Sequence, residues 1–203
     1  MTHRTATPLS RLVDGDEQPT KVTPRELLKL ARKKWLHGER LDLGKLAADL
    51  GIGRATVFRW AGSREQLYGE LIASGLIADL DRARVEATGS GIERMFDVID
   101  RLLRSLAASE PLRTFIRQDP EYALRVLTAK GSPVQARSQE AFREGIVEQI
   151  AAGTMAPALP PDDLAYLLTR IVESFLYRDV ITGDEPNMAM ALAAIRILCL
   201  CRV

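Results

Sequence analysis

From about residue 24 to the end of the chain, apolar residues recur at helical spacing, and alternating or β-branched runs are scarce. The pattern predicts an all-α protein of about nine helices, with a three-helix N-terminal unit followed by a larger helical body. The most informative stretch is residues 42–64. Leu43, Leu46, Ala47 and Leu50 fall at i, i+3, i+4 and i+7 and make one apolar stripe, with Asp42 placed to cap the free N–H groups at its start. Gly51 follows the stripe, where a left-handed residue ends a helix without a Cβ clash. Ile52 closes the corner, and a second short helix begins near Gly53 or Arg54. Val57 and Ala61 point inward and Phe58 falls at the edge of that face, which leaves Arg54, Ala55, Thr56, Arg59 and Trp60 for the outward side.

Beyond this hairpin, Ser63 and Gln66 are spaced as a capping box for a helix over about 63–87, whose inner stripe is Leu67, Leu71, Ile72, Leu76 and Leu80. A Thr-Gly-Ser-Gly break at 88–91 precedes a helix to about residue 108. Glu110-Pro111 and Asp119-Pro120 each start a short helix, because proline at the first helical position loses no hydrogen bond. Ser132-Pro133 starts a helix to about 152, Pro160-Pro161 one that ends before Gly183, and Glu185-Pro186 opens the last. The last helix is apolar nearly all round and has to be covered on more than one side. Either an intramolecular core or a symmetric four-helix dimer interface meets that need. The dimer reading places Leu168, Ile171, Val172, Met188, Leu192 and Ile195 at the contact.

Charge sharpens the picture. The 203-residue chain carries a formal net charge of only +1. Residues 21–64, however, hold eleven Lys/Arg against four acids, while residues 65–203 are net acidic. A basic head on an acidic body suits a polyphosphate partner, since neutralising phosphates releases condensed counterions. Residues 1–22 are polar and turn-rich and are expected to form a disordered arm, followed by a DNA-binding unit at 23–68 and a larger helical unit at 69–203 that carries the dimer face. No run of about 18 apolar residues and no signal-peptide pattern occurs, so a cytoplasmic protein without membrane contact is expected. The only histidines, His3 and His37, and the only cysteines, Cys199 and Cys201, provide no metal cluster and no catalytic triad. The cysteines read as buried small hydrophobes. No cofactor is expected. The best acids for an enzyme, Asp162-Asp163 and Asp119 with Glu121, sit at helix starts where capping accounts for them.

The run Gly51-Ile-Gly-Arg-Ala-Thr-Val-Phe-Arg-Trp60, followed by Gly62-Ser-Arg-Glu-Gln-Leu67, resembles the N-terminal domain of TetR-family regulators. The resemblance implies that Thr56, Arg59 and Arg64 hold DNA backbone or reach the groove, and that Arg54 and Ala55 lie where base contacts are made. Phe58 stands where the family usually has a phosphate-binding tyrosine, and Trp60 takes part of a core-filling role. Asp42-Leu43-Gly44 lacks the usual hydroxyl groups, so phosphate contact there falls to Lys45. The segments 119–127 and 163–177 look similar to the QsdR-like group of that family. That implies a ligand-sensing body with wall residues among Met95, Phe96, Ile99, Leu103, Phe115, Tyr122, Leu127, Phe142, Ile146 and Phe175. Arg170, Glu173 and Tyr177 are its polar anchors. The expected protein is then a homodimeric, sequence-specific transcriptional regulator, a repressor in preference to an activator, which binds a palindromic operator in double-stranded DNA and answers to a small apolar or acyl-like effector. The alternative is a helical interaction module whose basic head meets an acidic protein.

Overall fold

The computed structural model describes residues 22–201, and apart from Val22 the N-terminal arm lies outside them. Among the described residues the secondary structure is helical throughout. The head comprises α1 (Pro24–Leu36), α2 (Leu43–Asp49) and α3 (Arg54–Ala61). It is followed by α4 (Arg64–Glu86), α5 (Gly91–Ala108), α6 (Glu110–Gln118), α7 (Pro120–Thr128), α8 (Pro133–Ala151), α9 (Pro161–Leu176), α10 (Arg178–Ile181) and α11 (Met188–Leu200). That is more than the nine expected. The two proline-started pieces, α6 and α7, are separate helices as expected, but the helix begun at Pro161 breaks at Tyr177, where φ and ψ are −98° and 19°, and α10 follows as a further short helix.

Local chemistry explains the head. Thr23 and Glu26 form a capping box at α1, with the Thr23 N–H donating to the Glu26 carboxylate at 2.6 Å. Asp42 caps α2 by accepting from the Lys45 N–H at 2.8 Å. At the other end of α2, Gly51 N–H donates to the Ala48 carbonyl and Ile52 N–H to that of Ala47, the paired bonds that close a helix through a left-handed glycine. Leu43, Leu46, Ala47 and Val57 are buried together, so α3 crosses α2 closely. Gly62 then turns the chain with φ +68°; a Cβ there would overlap the Gln66 side chain, which folds back to accept from the Ser63 N–H.

Helix α4, 23 residues and about 34 Å long at the standard rise, starts in the head and runs through the body without interruption. In the body α4 packs against α5 and α8, α9 packs on α8 and α11, and α11 returns onto α5. One continuous apolar core joins head to body. Its junction is aromatic: Trp35 of α1, Tyr68 of α4, Phe115 of α6 and Tyr122 of α7 meet with ring centroids 4.7–6.0 Å apart. The Leu41 N–H donates to the Tyr68 hydroxyl at 2.8 Å, and Arg40 lies 3.7 Å from Asp119.

Two expectations are corrected here. Leu168, Val172, Met188 and Ile195, expected at a dimer contact, are buried inside the protomer, because that side of α9 and α11 faces α5 and α8. Ile171 and Leu192 are half-buried at the edge, and the outward row is instead Tyr166, Leu167, Met190, Ile197 and Leu200. Of the cysteines, Cys199 is in the core, where burial pushes its thiol up to about 11, but Cys201 is exposed just past the end of α11.

Candidate DNA interface and effector cavity

Helix α3 presents Arg54, Ala55, Phe58 and Arg59 to solvent, with Thr56 and Trp60 half-buried and Val57 anchoring the inner side. Phe58, at the inward edge by spacing alone, is 51% exposed and faces outward. Together with Asp42, Gly44, Lys45, Ser63 and Arg64, Arg54 and Phe58 line one shallow groove on the head. Three short segments thus contribute to the same surface: the start of α2, the outer side of α3 and the first residue of α4.

Position 44 has a specific reason to be glycine. A Cβ there would stand 3.1 Å from Asp42 Oδ1 and 3.4 Å from Arg54 Nε, so the Arg54 guanidinium lies across the bare backbone of α2. The Asp42 carboxyl is held below its usual range chiefly by the Lys45 N–H, with Arg54 adding a smaller Coulombic pull. Nothing in the spacing of the sequence pointed to the contact of Arg54 with Gly44, because it joins two helices.

Arg64 is half-buried and differs from the other cations. Its Nε–H donates to the Tyr122 hydroxyl at 2.9 Å and its guanidinium carbon stands 4.4 Å from the centre of that ring. Tyr122, expected on the wall of a ligand cavity, belongs to the head–body junction. So does Phe115.

The cavity lies in the body between α4, α5, α8 and α9 and measures about 390 Å³. That is within the usual range for small-molecule sites. Its wall runs along α4 from Ile72 to Arg84, about 18 Å of helix. Ile99, Leu103 and Phe142 line it as expected, with Met95, Leu127, Ile146, Glu173 and Tyr177; Leu168 and Val172 line it too. Phe96, Phe175 and Arg170 do not. Phe96 lies on the other side of α5 beneath the Arg196 guanidinium, 4.5 Å from the ring centre, and Phe175 packs at the edge of the core. Helix α5 is buried on two faces, so adjacent residues enter different compartments.

One end of the cavity opens beside Arg84 and Glu148, both exposed, and Arg94, whose guanidinium donates to the Arg84 carbonyl at 2.6 Å. At Glu173 the wall is backed by a half-buried polar network. Arg170 pairs with Glu173 at 2.8 Å and donates to the Gln135 side chain, which in turn donates to Glu173 and, at 2.8 Å, to the Leu127 carbonyl. Burial still holds the Glu173 carboxyl above its ordinary value, against the opposing pull of Gln135 and Arg170. Burial likewise drives the Tyr177 phenol well above its usual range, so it stays a neutral donor. Among the described residues the Tyr177 hydroxyl has no protein hydrogen-bond partner, and its side chain lines the cavity. Thr169, also missed in the sequence, lines the same region, its hydroxyl donating to the Ala165 carbonyl.

A helix-turn-helix head with an outward cationic helix, joined by a shared long helix to a hollow helical body, defines a one-component DNA-binding regulator. The comparisons with known proteins agree. Residues 90–200 match the family model described as "Tetracyclin repressor-like, C-terminal domain". The transcriptional repressor QsdR of R. erythropolis, a TetR-family protein, is similar to this chain at 31% identity and a TM-score of 0.81, covering 91% of this chain and 98% of the other. A structure described as a TetR-family transcriptional regulator from Rhodococcus sp. shares the fold, with a TM-score of 0.55 at 16% identity over 88% of this chain and all of that one. No curated protein sequence matches the chain. The chain belongs to the TetR family and is a DNA-binding transcriptional regulator. No helix among the described residues is long and apolar enough to cross a membrane.

Proposed function

We propose that this protein is a homodimeric repressor that occupies a palindromic operator in double-stranded DNA and leaves it when a small acyl-like effector fills the body cavity. The outward row Arg54, Ala55, Phe58 and Arg59 on α3, in a basic head, carries the reading. Arg54 reads a base edge, while Lys45, Thr56, Arg59 and Arg64 hold phosphates, Phe58 makes an apolar contact and Trp60 supports α3 from behind. Two copies joined through Tyr166, Leu167, Ile171, Met190, Leu192, Ile197 and Leu200 of α9 and α11 place two heads on one duplex. In this reading residues 23–68 bind DNA and 69–203 bind effector and partner copy.

The test begins with fragments of genomic DNA selected on purified protein. Against a selected operator, Arg54→Ala should cost about 1–3 kcal/mol at particular base pairs and relax preference there. Random duplex should be bound almost as before. A uniform loss across all sequences would remove Arg54 from base reading.

The cavity favours an effector with an apolar chain and an uncharged polar head. The Glu173 carboxylate, and not the Arg170 guanidinium, is on the wall, so an anionic head placed inside meets a like charge. Tyr177 offers a donor to a carbonyl. Straight-chain amides should therefore raise the melting temperature more than carboxylates of the same length. Tyr177→Phe should weaken amide binding about 2- to 10-fold, the worth of one neutral hydrogen bond. Equal amide binding by the variant would take Tyr177 out of recognition. Effector release requires the two states to differ in effector affinity, and α4, shared by head and body, is one element able to link them.

A further inference from the structure

Tyr122 sits on α7, in the effector-sensing body, yet its hydroxyl reaches the first residue of α4. We infer that Tyr122 is a positioning residue for DNA binding: it fixes the Arg64 guanidinium so that the remaining N–H groups face the operator phosphates. This rests on the reading of the head groove as the DNA face.

Three observations support it. First, Arg64 lines the head groove with Lys45, Arg54 and Phe58 while its Nε–H is committed to Tyr122, so one guanidinium belongs to both surfaces. An arginine has five donors in a rigid planar fork, and tying down Nε sets the direction of the other four. A free arginine has to lose rotamer entropy when it meets a phosphate; this one has lost much of it already. Second, Tyr122 cannot drift. It is 5% exposed, wedged edge-on against Tyr68 and Phe115, and its own N–H is bound by the Asp119 carboxylate at 3.1 Å. Two cations approach its ring, Arg64 and Arg125, whose guanidinium carbon is 5.4 Å from the ring centre, while the Glu65 carboxylate acts on the phenol in the opposite sense. Burial raises the Tyr122 phenol, so the hydroxyl remains protonated and can accept from Nε–H. Third, Leu127 lies on the same nine-residue helix and lines the effector cavity. A shift of α7 driven from the cavity therefore moves the group that aims Arg64, with no need for α4 to bend.

The experiment needs no effector. Full-length protein is titrated with a fluorescent duplex of arbitrary sequence at several salt concentrations, and the slope of log K against log salt is read. Removing a phosphate contact lowers the magnitude of that slope by about 0.9, so Arg64→Ala in a dimer should lower it by about two. Tyr122→Phe keeps the ring and its packing and should weaken binding about 2- to 10-fold, with a fall in slope in the same direction. In the Arg64→Ala background, and in Arg64→Lys, which keeps the charge but has no Nε–H, Tyr122→Phe should change nothing further. Thermal melts of each variant separate folding from binding. An equal Tyr122→Phe loss in all backgrounds marks a structural role and overturns the proposal. So does an unchanged slope, or tighter binding, for Tyr122→Phe alone. If Arg64→Ala itself leaves the slope intact, the fault lies earlier, in the assignment of Arg64 to the DNA face, and the proposal falls with it.

Discussion

Ile197→Glu should turn the proposed dimer into a monomer at micromolar concentration and weaken operator binding by about a hundredfold or more. Ile197 is 68% exposed on α11 in the protomer, in a row with Met190 and Leu200, and the neighbouring helix α9 exposes Tyr166 and Leu167. Large apolar side chains exposed on two packed helices of a monomer suit an interaction surface. In a two-fold contact the same face meets itself, so each substitution places two carboxylates in one desolvated interface. Burying unpaired charges costs several kcal/mol each, more than an interface of ordinary size can absorb. Operator affinity falls with it, since two linked heads bind far more tightly than either alone. Helix α11 should remain folded, because its inner face, Met188, Ala191, Ile195 and Cys199, is untouched. Sedimentation or light scattering reads the mass directly. A dimer of unchanged affinity carrying this substitution would place the contact elsewhere on the molecule.

Phe96→Ala should destabilise the fold by about 3–5 kcal/mol, the cost of deleting a fully buried aromatic side chain and leaving a hole. Phe96 has no exposed surface and fills the contact between α5 and α11, beneath the Arg196 guanidinium. The hole forms on the side of α5 away from the effector cavity, so closing it would require two packed helices to move together. For a chain of this size each kcal/mol corresponds to about 2–4 °C in melting temperature, which predicts a fall of roughly 10 °C. Phe175→Ala, at a half-buried position, should cost clearly less. Urea unfolding of both variants decides the matter, and a Phe96→Ala cost below about 1 kcal/mol would mean that this part of the core collapses around the gap.

Much of the head was legible in the sequence because the forces that shape it are local. An Asp cap, an apolar stripe over seven residues and a glycine in a left-handed turn each act within one helical turn of the chain. Their order along the chain specifies α2, the corner at Gly51–Ile52 and α3 with little help from elsewhere. The same holds for the proline-started helices of the body and for the capping box at Ser63. The basic character of the head needed only counting.

Periodicity tells which residues are apolar together, but not which neighbour they meet. On α9, Leu167 and Leu168 are adjacent and chemically identical; one is outside and the other lines the cavity. On α5, Met95 faces the cavity and Phe96 faces α11. A helix buried on two sides buries a stripe too wide for sequence spacing to divide. Arg54 over Gly44 joins two helices of the head, while Arg64 on Tyr122 and the Gln135–Arg170–Glu173 network join helices far apart in the chain, in the case of Arg64 across 58 residues. Short-range geometry laid down the helices and their ends; the partition of their side chains among outer surface, cavity and core emerged from packing, because burial is a property of the assembled surfaces and each residue can satisfy it in more than one direction.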